Sequence, residues 1–160
     1  MLGSLSWRIF IKEQETKIMG EINHVSTKWL GKMAFESNNP SGYSIKIDVG
    51  EDAGGTGSGH RPKALMLTSL AGCSGLDVAS LIKKMKLEVE DFTIETIANL
   101  TDEHPRFYDK VKIEYHFHGS NLDEQKLQRA VDLSIEKYCG VMEMFRRFAK
   151  LEIETVFHSS

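Results

Sequence analysis

Apolar residues recur at helical spacing through the middle of the chain, from Pro62 to about Lys86. Proline is tolerated in the first turn of a helix, where its missing N–H has no helical partner, so Pro62 marks the start. Lysines near the other end suit the negative end of the helix dipole. The pattern predicts one helix about 35 Å long. We expect it to be buried centrally, because it is apolar around most of its circumference.

Alternation of apolar and polar residues predicts strands on both sides of this helix. Residues 22–49 are typical of short strands joined by turns, which favours an antiparallel meander. The stretch GEDAGGTGSGHRP that follows is too polar to pack, so we expect a flexible loop. After the helix come two strands, a second helix, a short helix and a final strand. This order predicts an α+β fold in which helices pack on antiparallel sheets.

Local signals in the second half place several residues more closely. The strand VEDFTIETIANLT predicts core positions as far as Ile97. Ser120 or Asn121 has the side chain of an N-cap for the second helix. That helix should end at Cys139, with Gly140 as its C-terminal signal.

Composition is that of an ordinary globular protein, with 160 residues of which 41% are hydrophobic and 27% charged. The net charge of -3 and the scattered basic residues give no attraction to nucleic acid or to an anionic membrane. We find no apolar run that approaches the roughly 20 residues of a membrane helix. The sequence therefore predicts one domain without a nucleic-acid or membrane partner.

The first residues do not resemble a signal peptide, because they lack a long apolar core followed by a cleavage site. We interpret residues 1–21 as an N-terminal extension, with Met19 as an alternative start, and residues 22–158 as a single domain. With only two cysteines in the chain, a reducing compartment fits best. We expect the protein to be cytoplasmic.

Two glycines, Gly72 and Gly75, flank a lone cysteine, Cys73, inside the predicted central helix. A glycine in a helix interior costs on the order of 1 kcal/mol against alanine. One explanation is packing, in which the glycines let another element approach and Cys73 is a small core residue. The other is chemistry, in which the missing side chains leave room for a substrate beside the sulfur. The residues alone favour packing.

The second cysteine, Cys139, also lies at a marked position, the end of the second helix. Two cysteines this far apart in sequence make a poor disulfide scaffold and are too few for a zinc site made of cysteines. They do suit peroxide reduction, in which a second thiol condenses with a sulfenic acid before overoxidation. That chemistry needs the sulfurs of Cys73 and Cys139 close together. It also needs a thiol whose pKa is lowered by a cation or a helix N-terminus.

The stretch RPKALMLTSLAGCSGLDVASLIKKMK, followed by SIEKYCGVMEMF, resembles the OsmC/Ohr family of osmotically inducible and organic hydroperoxide resistance proteins. The order of elements is also similar over residues 22–158. The resemblance implies an intertwined homodimer with two active sites at the subunit interface, which reduces organic hydroperoxides. By position, Cys73 matches the peroxidatic cysteine and Cys139 the resolving one. A dithiol such as lipoamide is the implied reductant, and no cofactor or metal is implied.

One position departs from the family pattern. Family peroxidases carry Pro-Glu at the start of the long helix, and the Glu holds an Arg against the thiolate, but here the pair is Pro62-Lys63. Arg61 is the candidate cation that stabilises the thiolate and polarises the peroxide, and Lys63 is the alternative, without the carboxylate that orders an Arg fork. Because about 15 Å of helix separates Lys63 from Cys73, a first-turn group reaches a partner chain's sulfur better than its own.

The early strand region also lacks the family's arginine, since none lies between Arg8 and Arg61. This loss of the Glu/Arg pair supports an alternative that involves no catalysis. In that reading the interface cleft binds a small apolar ligand, or the protein persists as a stress-related dimer, and Lys63 is the residue that favours it.

Other polar residues are weaker candidates for chemistry. Asp77 lies four residues after Cys73 on the same helix face, and we expect it to make a polar or capping contact. His116 and His118 share one strand face. We interpret that face as solvated, because no nearby acid or cysteine completes a metal site.

Overall fold

A computed structural model of the protein describes residues 22–159. The chain divides between Gly59 and His60 into two compact units. The predicted N-terminal extension and the alternative start at Met19 lie outside the described residues. The single domain over residues 22–158 stays a prediction.

The first unit contains a three-stranded antiparallel sheet, which confirms the predicted meander. Its strands are β1 (Thr27–Gly31), β2 (Ala34–Asn38) and β3 (Ser44–Ile47), paired in that order. Several large apolar side chains of this unit are exposed, among them Trp29 and Tyr43 at 62% and 79%. The small sheet alone therefore does not bury its apolar residues.

The glycine-rich stretch after β3 is organised around a buried carboxylate, contrary to the expectation of a flexible loop. Asp48, 1% exposed, accepts hydrogen bonds from the hydroxyls of Thr56 and Ser58 at 2.6 and 3.1 Å. The hydrogen bond from the Thr56 hydroxyl holds the pKa of Asp48 well below its usual range. Hydrogen bonds from nearby backbone N–H groups lower this pKa further, whereas burial raises it and offsets part of the effect. A Cβ on Gly55 would collide with the Val49 carbonyl oxygen, so glycine is required there.

The second unit contains three helices and a second three-stranded sheet, in the predicted order. Its elements are α1 (Pro62–Met85), β4 (Asp91–Leu100), β5 (Tyr108–His118), α2 (Glu124–Leu133), a π-helical turn (Ser134–Tyr138), α3 (Gly140–Arg146) and β6 (Lys150–His158). The sheet order is β4-β5-β6. The prediction of purely antiparallel sheets is wrong for β5 and β6, which pair in parallel. The helical connection through α2 and α3 carries the chain back across the sheet, so β6 enters in the same direction as β5.

The core of this unit lies between one face of the sheet and the helices. Alternate residues of β5 point inward and are 0–1% exposed: Val111, Ile113, Tyr115 and Phe117. They pack with buried residues of the helices: Leu70, Val78, Leu127, Val131, Met142 and Phe145. At about 25 cal/mol per Å², burial of these apolar side chains is the main term that stabilises the unit.

The central helix buries one face and not its whole circumference. Its buried residues, Leu70, Ser74, Val78 and Leu81, follow the three- and four-residue spacing of one helix stripe. On the opposite face Leu76 is 75% exposed, and Met66, one turn before Leu70, is 43% exposed. One sheet can cover only one side of a helix, so the elements of this unit do not bury α1 completely.

By length and composition α1 could also cross a membrane, contrary to the expectation that no segment would. A core helix of a globular domain meets the same criteria, and one such helix is weak evidence. Here α1 packs against β4, α2 and α3 of its own unit. Its apolar character therefore already has an explanation in packing.

Two local predictions are corrected by the packing. Ile97 is 54% exposed, because the strand alternation that turns Ile94 inward turns Ile97 to the opposite face. The N-cap of α2 is Asp123, whose carboxylate accepts from the Lys126 backbone N–H at 3.1 Å.

Ser120 and Asn121, the residues predicted for that N-cap, make other contacts. The Ser120 hydroxyl and backbone N–H both donate to Glu90 at 3.0 Å. The Asn121 amide donates to Glu88 at 3.1 Å. These bonds join the start of α2 to the segment before β4, which leaves capping to Asp123.

Candidate functional site

The fold brings the two cysteines together. Cys73 lies on α1 and is half-buried, whereas Cys139 follows the π-helical turn and is 4% exposed; both are free thiols. Their sulfurs and a carboxylate oxygen of Asp77 all lie within 4.8 Å of one another. A disulfide needs sulfurs about 2.05 Å apart, so movements of under about 3 Å would close the bond. The proximity that the proposed thiol chemistry needs is therefore present.

The position of Cys139 depends on the π-helical turn that precedes it. Its backbone N–H donates to the Ser134 carbonyl five residues earlier, at 2.9 Å. Its sulfur then accepts the Met142 backbone N–H at 3.4 Å and caps the start of α3. Gly140 therefore begins α3, and the prediction that it ends the second helix is wrong. Turns of this type occur frequently at functional sites.

The environment of Cys139 favours its protonated form. Burial raises the pKa of the Cys139 thiol to about 11. The Met142 backbone N–H opposes this rise in pKa, whereas Cys73 and Asp77 add to it. Cys139 is therefore a thiol at neutral pH and needs a base before it can act as a nucleophile.

Asp77 makes the predicted polar contact, and its partner is Ser134. The buried Ser134 hydroxyl has two acceptors at 3.3 Å, a carboxylate oxygen of Asp77 and the Ser74 carbonyl. These contacts tie the π-helical turn to α1. The four-residue spacing from Cys73 made Asp77 a candidate site residue in the sequence. Nothing in the sequence marked Ser134 as a site residue, because it only occupies a position in the apolar stripe of the second helix.

A buried tyrosine that the sequence did not indicate lies next to this group. Burial raises the pKa of Tyr115 to about 12, an effect that the nearby Ser74 hydroxyl partly offsets and that Cys139 and Asp77 increase. The Tyr115 and Ser74 hydroxyls do not reach hydrogen-bond geometry, and no described residue gives the Tyr115 hydroxyl a partner. Strand alternation predicted its burial, but nothing in the sequence predicted a free hydroxyl beside the cysteines.

The two glycines beside Cys73 have different surroundings. A Cβ on Gly75 would lie 2.9 Å from the Ile94 side chain, so Gly75 allows α1 to approach β4 closely. A Cβ on Gly72 would meet nothing within 4 Å. Gly72 faces an open groove of about 780 Å³ between α1 and β4, whose lining also includes Leu76 and Phe92. The packing explanation is therefore confirmed for Gly75, whereas room for a substrate beside the Cys73 sulfur stays a prediction, because Cys73 is not among the residues that line this groove.

Arg61 is not brought to Cys73 within one chain. It is the exposed N-cap of α1, twelve residues before Cys73, which corresponds to about 18 Å along the helix. Its side chain has no hydrogen bond or ion pair with any residue from 22 to 159. Lys63 is also exposed, one residue into the first turn.

Cys73, Asp77 and Cys139 together offer two sulfurs and a carboxylate oxygen, a donor set that suits zinc. Thiols bind metal as thiolates, so the raised pKa of Cys139 opposes this use of the site at neutral pH.

On the opposite face of the sheet, the expectation that no acid lies near the histidine pair is wrong. His116 lies 3.0 Å from a nitrogen of His158 and 3.3 Å from a carboxylate oxygen of Glu114. His158 stands on β6, and only the parallel pairing of β5 with β6 brings it there.

Comparisons with known proteins agree with this fold. Residues 55–154 match the family model described as OsmC-like protein. The chain is 31% identical to Protein YhfA of Escherichia coli (strain K12) over 121 residues, which cover 75% of this chain and 87% of that protein.

Among solved structures, the chain is similar to a hypothetical protein from Aquifex aeolicus VF5, with a TM-score of 0.77 and 30% identity. That match covers 88% of this chain and 99% of the other. It also shares the fold of an organic hydroperoxide resistance protein OsmC from Legionella pneumophila, with a TM-score of 0.65 and 15% identity over 88% of this chain and 99% of that one.

Proposed function

The chain belongs to the OsmC family, and on that basis we propose that it is a thiol peroxidase that reduces organic hydroperoxides. The observation that carries the proposal is the pair of free cysteines, Cys73 and Cys139, whose sulfurs lie within 4.8 Å of each other. A peroxidase of this kind needs one accessible thiolate and a second thiol within reach of the sulfenic acid.

Cys73 is the first nucleophile in this proposal. It is the more accessible of the two cysteines, whereas Cys139 is buried and protonated. The Cys73 thiolate attacks the terminal peroxide oxygen, the O–O bond breaks, and the alkoxide takes up a proton and leaves as an alcohol. Cys73 is then a sulfenic acid, oxidised by two electrons.

Cys139 resolves that intermediate. Its sulfur attacks the Cys73 sulfur, the S–S bond forms, and the S–O bond breaks. The Cys139 proton must leave its sulfur and reach the departing hydroxide, which becomes water. We assign the transfer of that proton to Asp77, whose carboxylate lies within 4.8 Å of both sulfurs and is held by Ser134, a separation that one bridging water spans. A dithiol such as lipoamide then reduces the disulfide by exchange and is itself oxidised to a disulfide. The cytoplasm would supply such a reductant.

A homodimer completes the site in this proposal. OsmC proteins are typically dimers that act on hydroperoxides. Two features of this chain agree with a second copy: α1 leaves Leu76 exposed beside the groove, and the first unit leaves Trp29 exposed. The partner's Arg61 would then supply the cation beside the thiolate, since Arg61 cannot reach the Cys73 of its own chain.

The test mixes the reduced protein with cumene hydroperoxide and follows the thiol titre and the mass of the product. We expect loss of two thiols for each peroxide consumed and an intramolecular Cys73–Cys139 disulfide. The Cys139→Ser variant should stop at a sulfenic acid that dimedone traps, and Cys73→Ser should consume no peroxide. An unchanged thiol titre in the wild-type protein would refute the proposal.

A second candidate function is binding of a small apolar ligand, and the groove of about 780 Å³ beside Gly72 is the observation that favours it. The same experiment separates the two functions. A ligand-binding protein would leave the peroxide intact and would bind an apolar fluorescent probe with equal affinity in the wild-type protein and in Cys73→Ser.

A further inference from the structure

A group of three histidines lies on the face of the second sheet that points away from the helices. His116 and His118 are on β5, two residues apart and on one face, and His158 is opposite His118 on β6. The His118 and His158 rings stack at 4.2 Å between centroids, and His116 lies diagonally beside them at 5.3 Å from the His158 ring. Three imidazoles are thus adjacent on a rigid sheet.

The closest contact in this group joins two nitrogens. Nδ1 of His116 and Nε2 of His158 are 3.0 Å apart. With metal–nitrogen distances of about 2.0–2.1 Å, two ligands of one ion lie about 3.0 Å apart at a right angle and about 3.4 Å apart at a tetrahedral angle. The observed separation equals the right-angle value, and because the two nitrogens face each other in a hydrogen bond, both rings must turn slightly before their lone pairs meet at one ion.

The other nitrogen of His116 is held by an acid. Nε2 lies 3.3 Å from a Glu114 carboxylate oxygen, and Glu114 forms an ion pair with Lys112 at 2.5 Å. Metal-binding histidines nearly always donate their second N–H to a carboxylate or carbonyl, which fixes the ring and its tautomer. With its proton on Nε2, His116 presents the lone pair of Nδ1 to His158.

In the metal-free protein, His158 then donates its Nε2–H to His116. A shift of that proton to Nδ1 of His158 frees the second lone pair without removing a proton from the protein. The side chains of His116 and Glu114 are only 21% and 20% exposed, so an ion there is partly screened from water.

We propose that His116 and His158 bind a divalent first-row transition metal ion such as Zn²⁺, with His118 as a third ligand and Glu114 as the acid that orients His116. Imidazole is the ligand type that zinc, copper and nickel share. His118 reaches the ion by rotation of its side chain, because its stacked ring lies beside His158 and not in line with it. Solvent completes the coordination.

This site is separate from the cysteines. Residues of β5 alternate between the faces of the sheet, so Tyr115 points toward the cysteines and His116 points away from them. The proposed metal site therefore does not rest on the proposed peroxidase function. The outcome of the Zn²⁺ titration and the outcome of the peroxide assay are independent of each other.

The test measures Zn²⁺ binding by titration calorimetry with the untagged Cys73→Ser/Cys139→Ser protein, which lacks the sulfur donors of the other site. We expect one ion per chain. His116→Ala and His158→Ala should each abolish this binding, and Glu114→Gln should weaken it about 10- to 100-fold, the usual effect of removing such an orienting acid. His24→Ala, which removes an exposed histidine of the first unit, should bind as the parent does.

Two further measurements keep the result decisive. Circular dichroism and thermal unfolding check that each variant folds, and Co²⁺ in place of Zn²⁺ should give visible bands that disappear in His116→Ala. The proposal is overturned if the parent binds no Zn²⁺, or if the folded His116→Ala and His158→Ala variants bind it as tightly as His24→Ala. In either case the two imidazoles form a hydrogen bond only.

Discussion

The proton transfer proposed for Asp77 makes the resolving step the most informative place to perturb the site. Asp77→Asn keeps the size of the side chain and can still accept the Ser134 hydrogen bond, but it cannot take a proton. We expect the variant to form the Cys73 sulfenic acid at the wild-type rate and to close the disulfide much more slowly.

The size of the effect follows from the protonation of Cys139. With a pKa of about 11, only about one Cys139 in 10⁴ is a thiolate at pH 7. Without a base, only the thiolate fraction of Cys139 can attack the Cys73 sulfur. General base catalysis typically increases the rate of such a step about 10²- to 10⁴-fold. Removing the Asp77 charge also lowers the pKa of Cys139, but Asp77 is the weakest of the groups that raise it. We therefore expect closure to slow by about 10²-fold or more.

The assay is rapid mixing with one equivalent of cumene hydroperoxide, quenched with dimedone at increasing times and read by mass spectrometry. In Asp77→Asn the rate of disulfide formation should rise about tenfold per pH unit through neutral and mildly alkaline pH, because it follows the thiolate fraction of Cys139. The wild-type rate should be much flatter over the same range. Asp109→Asn, which alters an exposed acid of β5, is the matched control. Closure in Asp77→Asn at the wild-type rate, with the wild-type pH profile, would refute the role of Asp77.

Three further predictions concern the oligomer and the stability of the two units. Analytical ultracentrifugation should give twice the chain mass of 18.1 kDa, and a monomer at micromolar concentration would contradict the shared site. Leu70→Ala should lower the free energy of unfolding by about 2–5 kcal/mol in urea titrations, because Leu70 is fully buried, while the exposed Lys84→Ala should change it by less than about 0.5 kcal/mol. Asp48→Asn should speed amide hydrogen exchange at Thr56 and Ser58. Because folding lowers the pKa of Asp48, its stabilising effect is present above the usual carboxyl range and is lost as the pH falls below it, so exchange in wild type and variant should converge in acid.

The sequence predicted the elements of the fold well because their signals are local. Pro62 sets the start of α1, and the lysines near Lys86 mark its end; the structure ends the helix at Met85. The direction of β6 is not a local property. It depends on how the helical connection crosses the sheet, so an alternating strand pattern predicts a strand but cannot tell parallel from antiparallel pairing.

The site was predictable in part for the same reason. Cys73 and Cys139 were marked by neighbouring glycines, and Asp77 by its helical spacing from Cys73. Ser134 and His158 enter their groups only through long-range contacts, the first through a π-helical turn and the second through parallel pairing. Neither feature has a signature in composition or periodicity.

The free hydroxyl of Tyr115 links the stability of the second unit to its chemistry. A buried donor without a partner costs about 1–3 kcal/mol, and such groups in a native protein call for an explanation. Tyr115 is fully buried beside Cys139 and Asp77, where hydroxide leaves the Cys73 sulfenic acid in the proposed reaction. A hydroxyl kept free in the resting state can donate to that leaving oxygen without first breaking another hydrogen bond.

Tyr115→Phe should therefore leave the free energy of unfolding unchanged or raise it by up to about 3 kcal/mol, while disulfide closure becomes slower. Urea titration and the dimedone assay measure the two effects on one protein, and Tyr43→Phe, at an exposed tyrosine, should alter neither. If Tyr115→Phe loses more than about 1 kcal/mol of stability, the hydroxyl has a partner in the folded protein. If closure keeps its rate, the hydroxyl plays no part in the departure of the oxygen. A gain in stability together with slower closure would mean that the fold tolerates an unpaired buried group because the reaction uses it.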